Sequence, residues 1–384
     1  MDNKMTYDSR VENVMAAVNH REPDYIPVIN NLVTWPAEYK KVHLTELFEN
    51  EDKYVDVFSS FLDEVYADAC WIAGIPTNIS AYKALECDVF QISPNGYSVQ
   101  HHEKCWMEAD EYPALIADAK SFLLNVIAPR KFKALQGDKE TVKKKLVAAM
   151  REIKSFGSKN RKLVQTVKDK YGICQIRGPV GIMSPFDIIF DRLRGFANTL
   201  TDVKRHPQPL KEATEAIAPV FLKPVEKLPV LFPFVGHTPH APTYLGRKNF
   251  EEFYWPSYEK MLRAVASQGG KAAVVFEGTW KPLFEYLNSI PGNTIMGFVE
   301  EDDPFEAKKI IGDKVTLIAG VKVEAIKFKS KDVIFDLAKK IIDELAPGGG
   351  FMFSSDKALL SVADVNNENY IALQSFVHEY GRKK

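Results

Sequence analysis

The residues best placed for chemistry stand where short apolar runs end. Glu277 follows Val274-Val275-Phe276 and precedes Gly278-Thr279-Trp280. A carboxylate at the end of a buried strand loses hydration, which disfavours its charged form and suits it to general acid work. The alternative role is an N-cap or an ion pair that supports the next helix. His237 and His240 stand three apart in Gly236-His237-Thr238-Pro239-His240-Ala241-Pro242, a loop stiffened by two prolines. Imidazoles presented this way bind metal or substrate, or simply order the loop. A zinc site needs three or four ligands, so two histidines do not define one. Asp68, in Tyr66-Ala67-Asp68-Ala69, is placed to touch substrate or to satisfy backbone groups near a strand end. Asp356, after Ser354-Ser355, either caps the next helix or joins the site. Glu300 to Asp303, followed by Pro304, read mostly as a helix start favoured by the helix dipole, leaving room for one functional carboxylate. There is no GxGxxG, GxSxG or HExxH, and Gly348-Gly349-Gly350 precedes a strand rather than a helix. Nicotinamide, serine-hydrolase and zincin chemistries therefore lack their usual support.

Eight apolar or β-branched runs are expected as strands: Ile26 to Leu32, Glu64 to Trp71, Gly172 to Arg177, Pro229 to Val235, Ala272 to Phe276, Thr294 to Phe298, Val315 to Ile318 and Gly350 to Phe353. Amphipathic helical stretches such as Phe250 to Ser267, Pro304 to Ile311 and Asp332 to Leu345 separate most of them. Strands alternating with helices make βαβ units and a parallel sheet, and eight units point to a (β/α)8 barrel. On that fold catalytic groups lie at the C-terminal ends of the strands. Asp68 is thus expected late in the second strand, Asn30 and Asn31 at the end of the first, and Arg177 at the end of the third. A helix over Ser9 to Asn19 forms an N-terminal extension. Cys87 to Met107, with Ser93-Pro94-Asn95-Gly96, reads as a β-hairpin over the barrel mouth, and Glu108 to Tyr171 as a lysine-rich helical continuation of this insertion after the second strand. The 384 residues are read as one domain.

The chain carries 50 Lys+Arg against 51 Asp+Glu, a net charge of −1, which argues against a nucleic-acid partner. No run of eighteen apolar residues suits a membrane span, and the first residues lack the apolar core of a leader, so a cytoplasmic location is expected. Cys70, Cys87, Cys105 and Cys174 are scattered, without a CxxC, and are expected to be reduced and mostly buried.

Several motifs resemble the uroporphyrinogen decarboxylase superfamily. They are Ser184-Pro185-Phe186-Asp187 with Asp191-Arg192-Leu193-Arg194-Gly195, Phe250-Glu251-Glu252-Phe253-Tyr254-Trp255-Pro256, Phe276-Glu277-Gly278-Thr279-Trp280, Gly349-Gly350-Phe351 and Asn366-Asn367-Glu368-Asn369-Tyr370. The resemblance runs from Asp24-Tyr25-Ile26-Pro27 to His378-Glu379-Tyr380-Gly381 and implies a (β/α)8 TIM barrel. Members that decarboxylate porphyrinogens carry an arginine-rich loop, resembling RQAGR, after the first strand. Here that place reads Asn30-Asn31-Leu32-Val33-Thr34-Trp35, so a many-carboxylate substrate lacks its clamp, although Asp68 matches the family's catalytic aspartate. Members that methylate coenzyme M hold zinc with a His-x-Cys and a later Cys. The matching stretches, near His237 or Val275 to Glu277 and near Ser354 to Asp356, contain no cysteine. Any metal, zinc included, would fall to the harder set Glu277, His237 and Asp356.

The resemblance that fits this pattern best is to the first methyltransferase of O-demethylases. Such an enzyme moves a methyl group from a methoxylated, often aromatic, compound to cobalamin on a separate corrinoid protein. Glu277, Asp68 and His237 are the catalytic candidates, Glu277 as acid or, with His237, as metal ligand. Asn31, Trp35, Arg177, Phe186, His240, Tyr244 and Trp280 are the substrate-binding candidates, with Trp71 as a further aromatic. A phenolate leaving group has a conjugate acid near ~10, so protonating it at pH ~7 is worth about 4 kcal/mol. The alternatives are a decarboxylase-like lyase using Asp68 and a non-catalytic corrinoid- or tetrapyrrole-binding protein. A homodimer is compatible with the resemblance.

Overall fold

Runs of two to five mostly apolar residues, too short to make a helix turn of their own and flanked by Gly, Pro or polar residues, settle into short buried strands. The computed structural model describes residues 3–225 and 234–382. Among these residues the strands are β1 Ile29–Asn30, β2 Ala69–Cys70, β3 Phe90–Ile92, β4 Val99–His101, β5 Cys174–Gln175, β6 Arg177–Gly181, β7 Phe234–His237, β8 Ala272–Phe276, β9 Ile295–Val299, β10 Val315–Ala319 and β11 Phe351–Phe353. They form a mixed α/β architecture with two parallel sheets, β1-β2-β5 and β11-β10-β9-β8-β7-β6, and a separate antiparallel hairpin, β3-β4. Only Ile176 separates β5 from β6, and an isolated parallel bridge pairs Val28 with Phe353.

Alternation along each strand sorts side chains onto two faces. Ile29, Ala69, Cys174, Ile176, Phe234, Ala273, Met296, Phe298, Ile318 and Met352 form one inner cluster. Val28, Cys70, Val235, Val274, Phe276, Leu317 and Phe353 face the other way, into the layer shared with the helices. The helix Asn3–Val18 contributes Val14, Ala17 and Val18 to the inner cluster, so it closes the end of the strands from which they start. The Gly348-Gly349-Gly350 run belongs to that end. A Cβ on Gly349 would stand 2.7 Å from the Arg21 carbonyl, and Gly349 has φ +77. The run is a tight turn beneath the first helix, as expected of glycines that precede a strand.

The expected bounds hold for β8, for the helix Pro304–Ile311 and for the helical stretch Phe250 to Ser267, and other elements differ in their ends. The fourth expected strand begins in residues outside those described, and its remainder appears as β7. The stretch expected as the second strand, Glu64 to Trp71, is mostly a loop, and only Ala69–Cys70 pairs. Asp68 therefore does not stand late in a strand. It precedes β2, at the opposite end from the expected site. Its carboxylate accepts hydrogen bonds from the Val28 amide (2.9 Å) and the Tyr66 hydroxyl (2.6 Å), and it pairs with Arg10 of the first helix (3.2 Å). Burial raises the Asp68 carboxyl, against the opposing pull of Tyr66, Val28 and Arg10. Its geometry is that of an anchor for the N-terminal helix. The insertion between β2 and β5 holds the β3-β4 hairpin and the long helix Lys139–Tyr171. Arg194 ties the hairpin side to the body through a buried ion pair with Asp202 (2.7 Å) and a bond to the Met107 carbonyl (2.6 Å). The four cysteines are free, and only Cys105 is exposed. No helix among the described residues is long and apolar enough to cross a membrane.

Asp68→Ala leaves the Val28 amide and the Arg10 guanidinium without their buried partner. It is expected to cost about 3 kcal/mol in denaturant unfolding, and to leave any activity per folded molecule unchanged.

Candidate functional site

The C-terminal ends of β8 and β9 bring acidic groups together on the inner side. Phe276 ends β8 facing outward, so Glu277 turns inward. Its side chain is half-exposed, because it stands beyond the last strand pairing rather than within it. The partly desolvated acid expected at Glu277 is found one strand over. Glu300 follows Val299, the outward-facing end of β9, and its carboxylate lies near the Gly278 amide (3.4 Å). Burial, with the neighbouring Glu277 and Asp356 carboxylates, pushes Glu300 up to about 7, against the Gly278 amide and Lys357. Glu301 is taken by Lys357 (2.7 Å). Asp302 accepts the Trp280 and Lys281 amides (2.6 and 3.0 Å), and Asp303 caps the helix Pro304–Ile311 through the Phe305 amide. Of the four acids, Glu300 is thus the one left for proton chemistry.

His240 faces this cluster. Its Nδ1 lies 2.8 Å from Asp191 and its Nε2 3.8 Å from Glu277. Burial works against its charge, but the hydrogen bond and charge of Asp191, with Asp187 and Glu277 nearby, bring it up to about 9. The loop carrying it is held by Asp187, which accepts from the Ala241 amide (3.1 Å), the Tyr254 hydroxyl (2.7 Å) and Ser184 (3.0 Å). Burial and the nearby Asp191 raise the Asp187 carboxyl to about 6. Asp187 and Asp191 stand four apart in a helical run, which puts both on the side of the loop they support. That spacing is a sequence signal that would have identified them as supports of His240.

His237 does not join this group. It ends β7 paired with the outward-facing Val274, so it points away from Glu277. Its Nδ1 lies 3.1 Å from the Ile182 carbonyl and its ring packs 5.3 Å from Tyr258, while Nε2 is buried without a partner. Burial lowers it to about 3, so it is neutral. Asp356 accepts the Val323 amide (2.7 Å) and so supports the helix Val323–Phe328. Among the described residues no group of three His, Cys, Asp or Glu side chains is arranged to hold a metal. The set Glu277, His237 and Asp356 does not fit a zinc ion, because strand alternation turns His237 to the other face and a backbone amide engages Asp356.

The aromatic candidates divide in the same way. Trp35 is fully buried, stacked on Tyr39 (4.3 Å) and bonded to Asn367 (3.0 Å). Phe186 and Trp280 lie in the helix layer. Tyr244 is exposed and meets Phe196 edge-on at 4.8 Å. Asn31 is buried, and its carbonyl is taken by the Leu359 amide. Trp71 faces the inner cluster against Phe298 (5.6 Å). Arg177 starts β6 rather than ending a strand, pairs with the inward-facing Phe234, and also points inward.

Asp191→Asn is expected to return the His240 imidazole from about 9 toward its ordinary ~6.5, read by NMR titration. Stability contributed by the His240–Asp191 pair is present below ~6.5 and is lost as pH rises through about 9, so the wild type should lose its advantage over this variant in that window.

The sequence profile of the family described as Uroporphyrinogen decarboxylase (URO-D) matches residues 161–380. No curated protein matches the chain. Among solved structures, a methyltransferase from Methanosarcina mazei is similar in fold, with a TM-score of 0.59 at 12% identity, over 96% of this chain and 98% of that one. The motif that builds the His240 support, from Ser184 to Tyr254, falls inside the matched segment. The chain belongs to the uroporphyrinogen decarboxylase family.

Proposed function

We propose that this chain is a methyltransferase that takes a methyl group from a methoxylated donor and passes it to a reduced corrinoid carried by a partner protein. On this reading the two sheets form one (β/α)8 barrel, joined through Ile176 and the Val28–Phe353 bridge. The acidic cluster then lies at its mouth, where barrel enzymes keep their chemistry. The observation that carries the reading is Glu300, a carboxyl held up to about 7 between Glu277 and Asp356. The corrinoid supplies the nucleophile. The chain's own task is to make the ether oxygen a better leaving group. As the methyl–oxygen bond breaks and the methyl group moves to the acceptor, the Glu300 proton goes to the departing oxygen. Glu277 and Asp356 keep that proton on Glu300 until it is needed. His240, positively charged and fixed by Asp191, faces Glu277 at 3.8 Å. Lyase chemistry through Asp68 is disfavoured by its place at the far end, sealed by Arg10 and Tyr66.

Glu300→Gln is expected to lower the rate of corrinoid methylation at least a hundredfold with a methoxybenzene donor. In the wild type the rate should fall as pH rises through about 7, where the proton is lost, and in the variant this fall should vanish. The readout is the absorbance of the reduced corrinoid. An unchanged rate in the variant would remove the role given to Glu300.

A further inference from the structure

The long helix Lys139–Tyr171 carries an apolar ridge that no described residue covers. Its 33 residues run about 50 Å, against about 17 Å for the longest strands. The carbonyl of Tyr171, its last residue, accepts from Arg10 of the first helix (2.6 Å), so that end lies where the strands start. The first half of the helix therefore rises toward the opposite end. There Lys145 pairs with Glu86 (2.7 Å) and the Glu152 carbonyl accepts from Asn78 (3.2 Å), two partners in the segment that leaves the C-terminal end of β2. Ala149, Leu163 and Val167 are buried on the packed side. Leu146, Val147, Met150 and Ile153 recur three and four apart and form a second stripe, with Met150 67% and Ile153 55% exposed. Four of the twelve exposed large apolar side chains among the described residues fall within these eight positions. Apolar residues scattered singly over a surface need no explanation, whereas a contiguous stripe marks a contact.

The charge around the ridge is mostly of one sign. Residues 139–154 hold six Lys and Arg against two Glu. Lys143, Lys144, Arg151 and Lys154 are exposed, and none of them pairs with a described carboxylate. Pairing of the ridge with a second copy of itself would set these cations against one another. A lipid surface favours aromatic anchors, and the stripe has none. A protein face that is apolar at its centre and acidic at its rim complements the ridge on both counts. We infer that the ridge docks the corrinoid-carrying partner through such a face, beside the end of the strands that the partner must reach. The identity of the partner rests on the methyl-transfer reading. The chemistry of its docking face does not, because it follows from the ridge alone. The ridge shares no residue with the cluster of Glu277, Glu300 and Asp356, so docking and proton chemistry are separable by substitution.

Methylation is followed with two acceptors, free cob(I)alamin and the reduced corrinoid protein, and binding of the corrinoid protein is followed separately by sedimentation velocity. Met150→Glu with Ile153→Glu is expected to raise the KM for the corrinoid protein tenfold or more, with kcat unchanged and the rate with free cob(I)alamin unchanged. Lys143→Glu with Lys144→Glu and Lys154→Glu should do the same, and should remove the rise of KM with salt expected of the wild type. Lys260→Glu, an exposed lysine of the helix Trp255–Ser267, controls for net charge and should change neither acceptor. A corrinoid protein that does not bind the wild type, or that binds both ridge variants as tightly, overturns the inference. So does a wild-type dimer, or binding to phosphatidylglycerol vesicles, that Met150→Glu with Ile153→Glu abolishes, since either gives the ridge another occupant. If binding depends on the ridge while neither acceptor is methylated, the docking surface stands and the methyl-transfer reading falls. Methylation of both acceptors that is indifferent to the ridge leaves that reading in place and removes the docking surface.

Discussion

The alternation of side chains along short parallel strands is the constraint on which the rest of this site depends. Each strand is two to five residues long, so a shift of one position sends a side chain from the interior to the helix layer. Phe276 and Val299 face outward and therefore commit Glu277 and Glu300 to the inner side. The same rule sends His237 behind its strand, where it packs on Tyr258 with one ring nitrogen unpartnered. It brings Arg177 inward over Gly236, the one position in β7 where a glycine leaves room for it. Sites on this architecture are thus selected by parity before they are selected by chemistry.

The second layer of control is the shortage of compensating charge on the inner side. Lys357 is engaged by Glu301 and the Asp356 carboxylate by an amide, so the three acids gather with His240 near Glu277 and with lysines that are partly engaged elsewhere. Crowded, partly desolvated carboxylates cannot all ionise, and Glu300, raised to about 7, is the one that keeps a proton. Lone placement of a carboxylate would not achieve this. The support extends through Asp191 and Asp187 to Ser184 and Tyr254, which explains why the two separated family motifs meet in space. They hold the His240 loop rather than the substrate.

Much of this was legible from residue order. The strand ends carrying Glu277, Glu300 and the His237–His240 loop were visible as apolar runs closing on polar groups, and β8 and Pro304–Ile311 were bounded correctly. What was not legible was depth. Glu277 follows the more hydrophobic run, yet it is the more exposed of the two, because neighbouring strands and the Gly278 turn partly cover Glu300. Asp68 falls at the opposite end from the expected site because Glu64 to Ala67 reads as strand but does not pair. Trp35, Phe186 and Trp280 looked like pocket walls by type alone, and helix-layer packing absorbs all three.

The most direct test of the account is the dependence of methyl-transfer rate on the acidity of the phenol released, across a series of ring-substituted methoxybenzenes, in the wild type and in Glu300→Gln. If Glu300 protonates the departing oxygen, the wild-type rate varies little along the series. The variant then depends steeply on leaving-group acidity and approaches the wild type for the most acidic phenols. Parallel dependences in the two proteins would contradict proton donation from Glu300 and with it the mechanism proposed for this site.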